Sequence, residues 1–499
     1  MKILLELRPA LDGHAGIPQE ARLLFRGLSR IEGVEVEGLL QSSNRVLAKG
    51  LPVQPPWWDA APTEDRKINR LSRVVVSLQQ SAKPTLAEVV GAWVKLALAP
   101  TRMLLGSLLG TRQSLTRFDA GHFKDFVWRG LFSKTLPYED FESVTGAGFR
   151  IARVPWSAMH AGALATKRLG HALYPRIDTR GFDVMIAETP YPGRVIGPTR
   201  MVVRYHDAIP LLMPHTISDK AYHQASHYHA LRRNVLDGAW FACVSDATRR
   251  DLLSIFPQAE PRAVTIHNMV SHHYFEDDAP GDRIPEIVRT RRNTAVKLAG
   301  GASVPVVDMR RGPAGVEYLL MVSTIEPRKN HLTLLAAWEQ LRTEQFPNLH
   351  LVLVGMLGWE HKAIIKKLRP WLARGGVHML EDVPAAELRL LYRHARATVC
   401  PSFGEGFDFS GVEAMRCGGV VAASELPVHR EIFADAAEYF SPYSASEMAR
   451  AVSRLIHPDA GPRRQALLDA GREVSARYLP ERILPQWQKF LIQISTPRA

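Results

Sequence analysis

Residues 397–424 read ATVCPSFGEGFDFSGVEAMRCGGVVAAS. ATVC is a short apolar, β-rich run that stops at Pro401, SGVEAMRCG has the composition of a helix, and VVAAS is a second apolar run. Strand, helix and strand in that order form a βαβ unit, whose parallel strands are covered on both faces and therefore apolar throughout. Such sheets carry their ligands on the loops that follow the strands. The loop SFGEGFDF is the polar, Gly-rich part of this unit.

The alternation extends outward in both directions. Upstream lie EYLLMVSTI, HLTLLAAWEQL, LHLVLVG, VHML and AAELRLLYRHA, which read strand, helix, strand, strand and helix and predict an open parallel sheet with helices on both faces. The closing segment, about 461–495, reads as mostly helical and is expected to pack back across the connector. The first 40 residues open with a strand (Ile3 to Leu7), a loop RPALDGHAG and an amphipathic helix from about Pro18. FDVMIAET, TRMVVRYHDAIPL, GAWFACVSDATRRDLL and AVTIHNMV continue the same scheme from 181. Between 276 and 315 the composition turns to Asp, Arg, Gly and Pro, as in an interdomain connector. The expected organisation is therefore α/β with two Rossmann-like, doubly wound domains facing a cleft. It divides into 1–285 with an insertion at about 45–180, a linker at 286–315, a second domain at 316–460 and a helical segment at 461–499. A chain of 499 residues exceeds what one core organises.

Composition excludes several classes. Hydrophobic content of 46% and charged content of 23% suit a water-soluble globular protein. No stretch reaches the roughly 18 uninterrupted apolar residues of a membrane span. Cys243, Cys400 and Cys417 form no CxxC pair, which argues against a zinc site and a disulfide scaffold and fits a reducing cytoplasm. MKILLELRPA reads as a buried strand rather than a secretory signal, because Glu6 and Arg8 interrupt its apolar run. The formal charge is +13, and residues 61–180 hold 18 Lys and Arg against 9 Asp and Glu. A basic surface of this kind suits nucleic acid, anionic lipid headgroups or a phosphate-bearing substrate, and charge alone does not choose among them. The apolar segment 91–110 is broken by Lys95, Pro100 and Arg102, which fits a helical hairpin, an interfacial helix or a core-packing helix.

Two sites carry chemistry. Glu405 lies between two glycines after a core strand, and Glu413 lies eight positions on, inside the following helix. Two carboxylates flanking a Gly-rich bend present acceptors to two hydroxyl clusters of one ligand, with a helix N-terminus facing an anion between them. The other reading of Glu413 is a capping box with Ser410, and that of Glu405 a solvated loop residue. Arg328 and Lys329 follow a strand and directly precede a helix, where a forked guanidinium and a point charge can neutralise a leaving diphosphate; the alternative is a basic loop without a ligand. Gly13 and Gly16 precede the first helix, in a loop that lets backbone N–H groups approach an anion. His223 and His227 have i, i+4 spacing but no HExxH or carboxylate partner, so no metal site is expected.

Arg328-Lys329 followed by the E-x7-E pair, with LHLVLVGMLGW, EDVPAAELRLLYRHARATVCPSFGEGF, the HD of RYHDAIPL and CVSDATRRDLL, resembles the retaining GT-B glycosyltransferases of family 4, also called group 1. The resemblance implies that Glu405 contacts hydroxyls of the donor sugar, Glu413 the ribose hydroxyls, and Arg328 with Lys329 the diphosphate. It implies further that His206 is a cleft histidine touching the transferred sugar, and that the loop around Gly16 and Ile17 closes over diphosphate or acceptor. Val383, Phe407, Asp408, Phe409 and Ser410 complete the implied donor site. No metal or other cofactor is expected beyond the nucleoside-diphosphate sugar. The family usually has Gly-Phe-Gly-Leu-Pro after the first glutamate, whereas this chain has Gly406-Phe407-Asp408-Phe409-Ser410. Asp408 thus replaces a glycine and brings a charge close to the expected phosphates.

The implied reaction is transfer of a hexose or deoxyhexose, mannose or rhamnose by the look of GMLGW and HDAIPL, to an acceptor hydroxyl with retained configuration. The basic, interrupted-apolar stretch favours a glycan or lipid-linked acceptor of the O-antigen or capsule kind, reached by peripheral contact with an anionic inner membrane face. Competing readings are a non-catalytic GT-B scaffold, a sugar-nucleotide epimerase and a phosphorylase. A nucleic-acid partner is not expected, since no helix-turn-helix, zinc finger or aromatic-basic motif is present.

Overall fold

Buried strands need cover on both faces, and the two larger of the three sheets among the described residues are built in that way, mainly from parallel strands. The computed structural model describes residues 1–11, 13, 16–53, 63–79, 112–167, 172–296, 309 and 316–495, with single helical positions at 91, 94, 98, 101 and 106. The predicted hairpin or interfacial helix at 91–110 otherwise lies outside the described residues.

The first sheet contains β1 (Lys2–Glu6), β2 (Glu35–Leu40), β3 (Thr116–Phe118), β4 (Gly148–Ile151), β5 (Val184–Ala187), β6 (Arg200–Tyr205), β7 (Trp240–Cys243) and β8 (Ala263–Thr265). Their order is β8-β7-β6-β5-β1-β2-β4-β3, parallel except for the β3–β4 edge pair. The second contains β9 (Tyr318–Val322), β10 (His350–Val354), β11 (Val377–Leu380), β12 (Ala397–Cys400), β13 (Val421–Ser424) and β14 (Ala437–Phe440), in the order β11-β10-β9-β12-β13-β14. In each sheet the direction of winding reverses next to its first strand. The reversal points are β1/β5 and β9/β12, and it is at the carboxyl ends of the strands beside such a reversal that open parallel sheets hold their ligands.

Five helices matter for the site: α1 (Ile17–Leu28), α2 (Asp246–Ile255), α3 (Phe409–Arg416), α4 (Pro427–Phe433) and α5 (Pro480–Ser495). Although last in sequence, α5 belongs to the first domain. Ile483, Trp487, Phe490, Leu491 and Ile494 are buried in one cluster with Ile3, Leu24 and Trp240, and each such side chain contributes about 1.5–3 kcal/mol. Leu484 packs so close to Gly27 that a Cβ there would lie 2.6 Å from its Cδ2. A second tie comes from Glu431 on α4, whose carboxylate accepts from the N–H groups of Asp246 and Ala247 at 2.6 and 2.9 Å. A carboxylate from one domain therefore caps the positive end of a helix in the other.

Two expectations need correction. The stretch 45–180 is not simply an insertion, because β4 pairs in parallel with β2 from Glu37↔Gly148 to Leu40↔Ile151, and β3 edges β4. Four residues, GFRI, are too few to show a pattern in sequence; what places them is Phe149 packing against Phe25 and Phe118. Nor is 286–315 linker from its start. Ile284, Ile287 and Val288 are buried in the core of the second domain, and Asn293 donates to the Met379 carbonyl at 2.8 Å. The rest of the predicted linker, 297–308 and 310–315, lies outside the described residues.

Candidate functional site

The carboxyl ends of β9 and β12 deliver two loops to the crevice of the second domain. After β9 a 3-10 turn, Pro327–Lys329, ends at Asn330 in the left-handed region (φ 63°). The Asn330 amide donates to the carbonyls of Pro401 and Pro442 at 2.9 and 2.8 Å, which locks this loop to the one after β12. Arg328 and Lys329 consequently converge on Glu405, with Nη1 2.8 Å from Oε2 and Nζ 2.6 Å from Oε1. Arg328 also holds Glu326 at 2.8 Å and the Gly404 carbonyl at 2.6 Å. Burial opposes ionisation of Glu405, but Arg328 and then Lys329 outweigh it and hold its pKa below the ordinary value. Burial also opposes the charge on Arg328, yet Glu405, Glu326 and Asp207 raise its pKa. The cations are thus not open to the cleft as the sequence suggested. Two carboxylates already engage them, and an incoming anion must share them.

Asp408 stands at the head of α3 with φ 67° and ψ 85°, the strained region that the glycine of the resembling family occupies freely. Its Oδ1 accepts from the Ser410 N–H at 3.2 Å and the Ser410 hydroxyl at 2.6 Å, and its Oδ2 lies 3.2 Å from His429 Nε2. Burial opposes its charge, but hydrogen bonding and charge from His429, with help from Lys329 and Ser410, hold its pKa far below the usual carboxylate range. The capping box read from Ser410 and Glu413 does not form, because Asp408 is the N-cap and Ser410 is already inside the helix. Phe407 is a core residue packed on Phe409 and Tyr478, both at 5.2 Å between ring centroids. Val383 is half-buried against the same core.

Glu413 points elsewhere. It is buried, and its carboxylate accepts from the Gln19 amide at 2.9 Å and the Tyr392 hydroxyl at 3.0 Å. Burial pushes its pKa up to about 7, against the pull of those two donors. Of the four side chains expected to act together, three therefore form one cluster. The fourth lies inside α3, five positions past Asp408, and is held by Gln19 of the first domain and Tyr392 of the second.

Gln19 reaches Glu413 because α1 starts at Gly16 (φ 72°) with its N-terminus aimed at the second domain. Among the described residues, and leaving aside its chain neighbours, nothing lies within 4 Å of where a Gly16 Cβ would sit, and Ile17 follows at the first helical position, half-buried. The buried Arg22 secures the preceding loop by donating to the carbonyls of Ala10 and Gly13 at 2.8 and 2.9 Å. Across the crevice, His206 follows β6. Its carbonyl is so close to Gly406 that a Cβ there would lie 1.8 Å away, so the two domains touch where the histidine and the first glutamate meet. The ring is buried and turned toward Glu188, with Nε2 3.2 Å from Oε2. Burial lowers the His206 pKa to about 4 and raises that of Glu188 to about 8, so both are neutral in ordinary buffer. Around them the charges are paired, Arg8 with Glu6 at 2.7 Å and Arg204 with Glu20 at 2.8 Å. Helix residue His223 bonds the Ser218 carbonyl and His227 faces the Tyr205 hydroxyl. Among the described residues no group of His, Cys, Asp or Glu is placed to hold a metal ion.

Sequence reasoning missed Gln19, Glu188, Glu6, Glu20, Arg204 and His429. Two of these left a trace. Arg204 is a charge inside the apolar run RMVVRY, and Glu188 directly follows VMIA, positions that a buried strand tolerates only with a partner. Gln19 and His429 left none, since each acts through a residue more than 20 positions away.

Comparison with known proteins agrees with this geometry. Residues 311–474 match the family model for glycosyl transferases group 1. The chain is 26% identical over 265 residues to the O-antigen chain mannosyltransferase B of Escherichia coli, covering 52% of this chain and 62% of that protein. It thus spans about three fifths of that relative's length. In fold it is similar to sucrose-phosphate synthase from Thermosynechococcus elongatus, with a TM-score of 0.58, 16% identity and coverage of 99% and 98% of the two chains. It is also similar to HepE from Anabaena, solved with UDP and glucose, with a TM-score of 0.50, 14% identity and coverage of 83% and 98%. The chain accordingly has the two-domain GT-B fold, and residues 311–474 of its second half are similar to the glycosyl transferases group 1 domain.

Proposed function

We propose that the protein is a glycosyltransferase that moves a hexose or deoxyhexose, mannose first and rhamnose second, from a nucleoside diphosphate to a glycan or lipid-linked glycan of the O-antigen kind. The observation that carries this reading is the cluster of Arg328, Lys329 and Glu405 at the β9/β12 reversal, with the His206 backbone packed against Gly406 beside it. The mannosyltransferase relative supports the sugar and the acceptor class.

In this mechanism the diphosphate displaces part of the Glu405 contact and takes Arg328 and Lys329 as its counter-ions. Glu405, released on one side, accepts from donor-sugar hydroxyls, and Glu413 accepts from the ribose. The bond between the anomeric carbon and the β-phosphate oxygen breaks. The acceptor oxygen bonds to the same face of that carbon, and the leaving phosphate takes the acceptor proton, so configuration is retained. Arg328 and Lys329 supply the positive charge that a metal would otherwise bring. Purified Arg328→Ala and Glu405→Ala proteins are expected to lose about 10²–10³-fold in donor turnover, and near-wild-type rates in both would refute the reading. The sugar and base are read by thermal stabilisation with GDP-mannose, UDP-glucose and dTDP-rhamnose.

The basic stretch 61–180 supports a membrane-held acceptor. No described helix is long and apolar enough to cross a membrane, so the expected contact is peripheral and from the cytoplasmic side. Flotation with anionic liposomes tests this, and failure to float at low salt favours an acceptor free in solution.

A further inference from the structure

Asp408 places a carboxylate at the head of α3 at positive φ, beside the cluster assigned to the donor diphosphate. Alone it would repel that ligand. Its partner His429 sits on α4, completely buried, with its ring stacked on Phe433 at 5.0 Å and 22°. The ring's two nitrogens have fixed neighbours, Nδ1 at 2.9 Å from the Ser424 carbonyl and Nε2 at 3.2 Å from Asp408 Oδ2.

The donors and acceptors of this arrangement can be counted. A carbonyl oxygen only accepts, so Nδ1 carries a proton. The other carboxylate oxygen of Asp408 accepts both the N–H and the hydroxyl of Ser410, the pattern of an ionised N-cap, and an ionised carboxylate also only accepts. Nε2 must then carry a proton as well. The strongly depressed Asp408 pKa, which owes more to His429 than to any other partner, agrees with an ionised acid.

We propose that His429 is a positioning residue of the donor site: its buried imidazolium cancels the charge of Asp408, so that Asp408 caps α3 without opposing the diphosphate of a nucleotide sugar. The assignment rests on the donor-site reading above. It accounts for an aspartate where the resembling family has glycine, because the two residues act as one neutral unit. The pair sits between the Arg328–Lys329–Glu405 cluster and Glu413, with Lys329 and Glu413 each within electrostatic reach of Asp408.

The test is a double-mutant cycle on the full chain, with GDP-mannose, UDP-glucose and dTDP-rhamnose titrated by calorimetry. Gln keeps a donor toward Asp408 but removes the charge, so His429→Gln is expected to weaken donor binding at least tenfold. In the Asp408→Gly background the same His429→Gln change is expected to cost less than threefold, since no charge remains to cancel. An equal loss in both backgrounds, or no loss in either, overturns the proposal and leaves His429 a packing residue. If His429→Gln alone is insoluble while the double variant folds, the uncancelled charge is the cause and the proposal stands. If neither folds, it falls. A wild-type protein that binds none of the three sugar nucleotides refutes the donor site itself, a result distinct from any outcome of the cycle.

Discussion

Glu413→Gln is expected to change how stability varies with pH. The Glu413 side chain is buried, its carboxylate accepts from the Gln19 amide and the Tyr392 hydroxyl, and both of these groups are uncharged. Burial raises its pKa from 4.5 to about 7. Below pH 4.5 the acid is protonated whether the chain is folded or not, and its folded-state environment costs nothing. As pH rises from 4.5 to 7 the unfolded chain releases this proton while the folded one keeps it, so stability falls; above 7 the loss is constant. At about 1.4 kcal/mol per tenfold, the rise corresponds to about 3 kcal/mol. Gln cannot ionise and escapes this loss, and with the Gln19 amide reversed it can still form both hydrogen bonds. The variant's advantage over wild type should therefore grow by about 3 kcal/mol between pH 4.5 and pH 8. If the chain unfolds as one unit, with an unfolding entropy of about 2.1 cal/mol/K per residue, that is about 3 °C in Tm. Melting curves of both proteins at half-unit pH steps give the answer. Parallel Tm profiles would show that Glu413 is ionised in the fold, and the account of its burial would be wrong.

Other consequences are open to measurement. Gly406→Ala places a methyl 1.8 Å from the His206 carbonyl, and because the obstacle is backbone the two loops must separate. A loss of about 1–3 kcal/mol in stability is expected together with slower donor turnover, and unchanged values of both would refute the close approach. Since Glu188 keeps its proton to about pH 8 and His206 is protonated only below about pH 4, the His206 imidazole signal in NMR should not move between pH 5 and 7.5. A titration with a midpoint near 6.5 would show that the pair is solvated.

Much of the site's address was legible locally. The βαβ reading of 397–424 placed Glu405 in a loop and Glu413 in a helix, and the run before Arg328 and Lys329 placed both cations between a strand and the next helix; each is found there. The orientation of these side chains was not legible. Glu405 lies 76 positions from Lys329, and only the lock of Asn330 on Pro401 and Pro442 turns them onto each other. Glu413 looked like a capping residue, and it is the approach of α1 that gives it Gln19 as a partner.

What the sequence by itself determined was the class of structure, because the apolar period of parallel strands and the Gly- and Pro-marked loops after them are properties of neighbouring residues. It also determined which loops hold charge. What only the tertiary structure decided was the pairing of those charges and the extent of each domain: the return of α5 to the first core, the capture of 284–296 by the second, and the meeting of Asp408 with His429. Burial creates these differences, since a carboxylate's pKa and partners depend on atoms brought near it from distant parts of the chain, and a linear reading contains no distances between them.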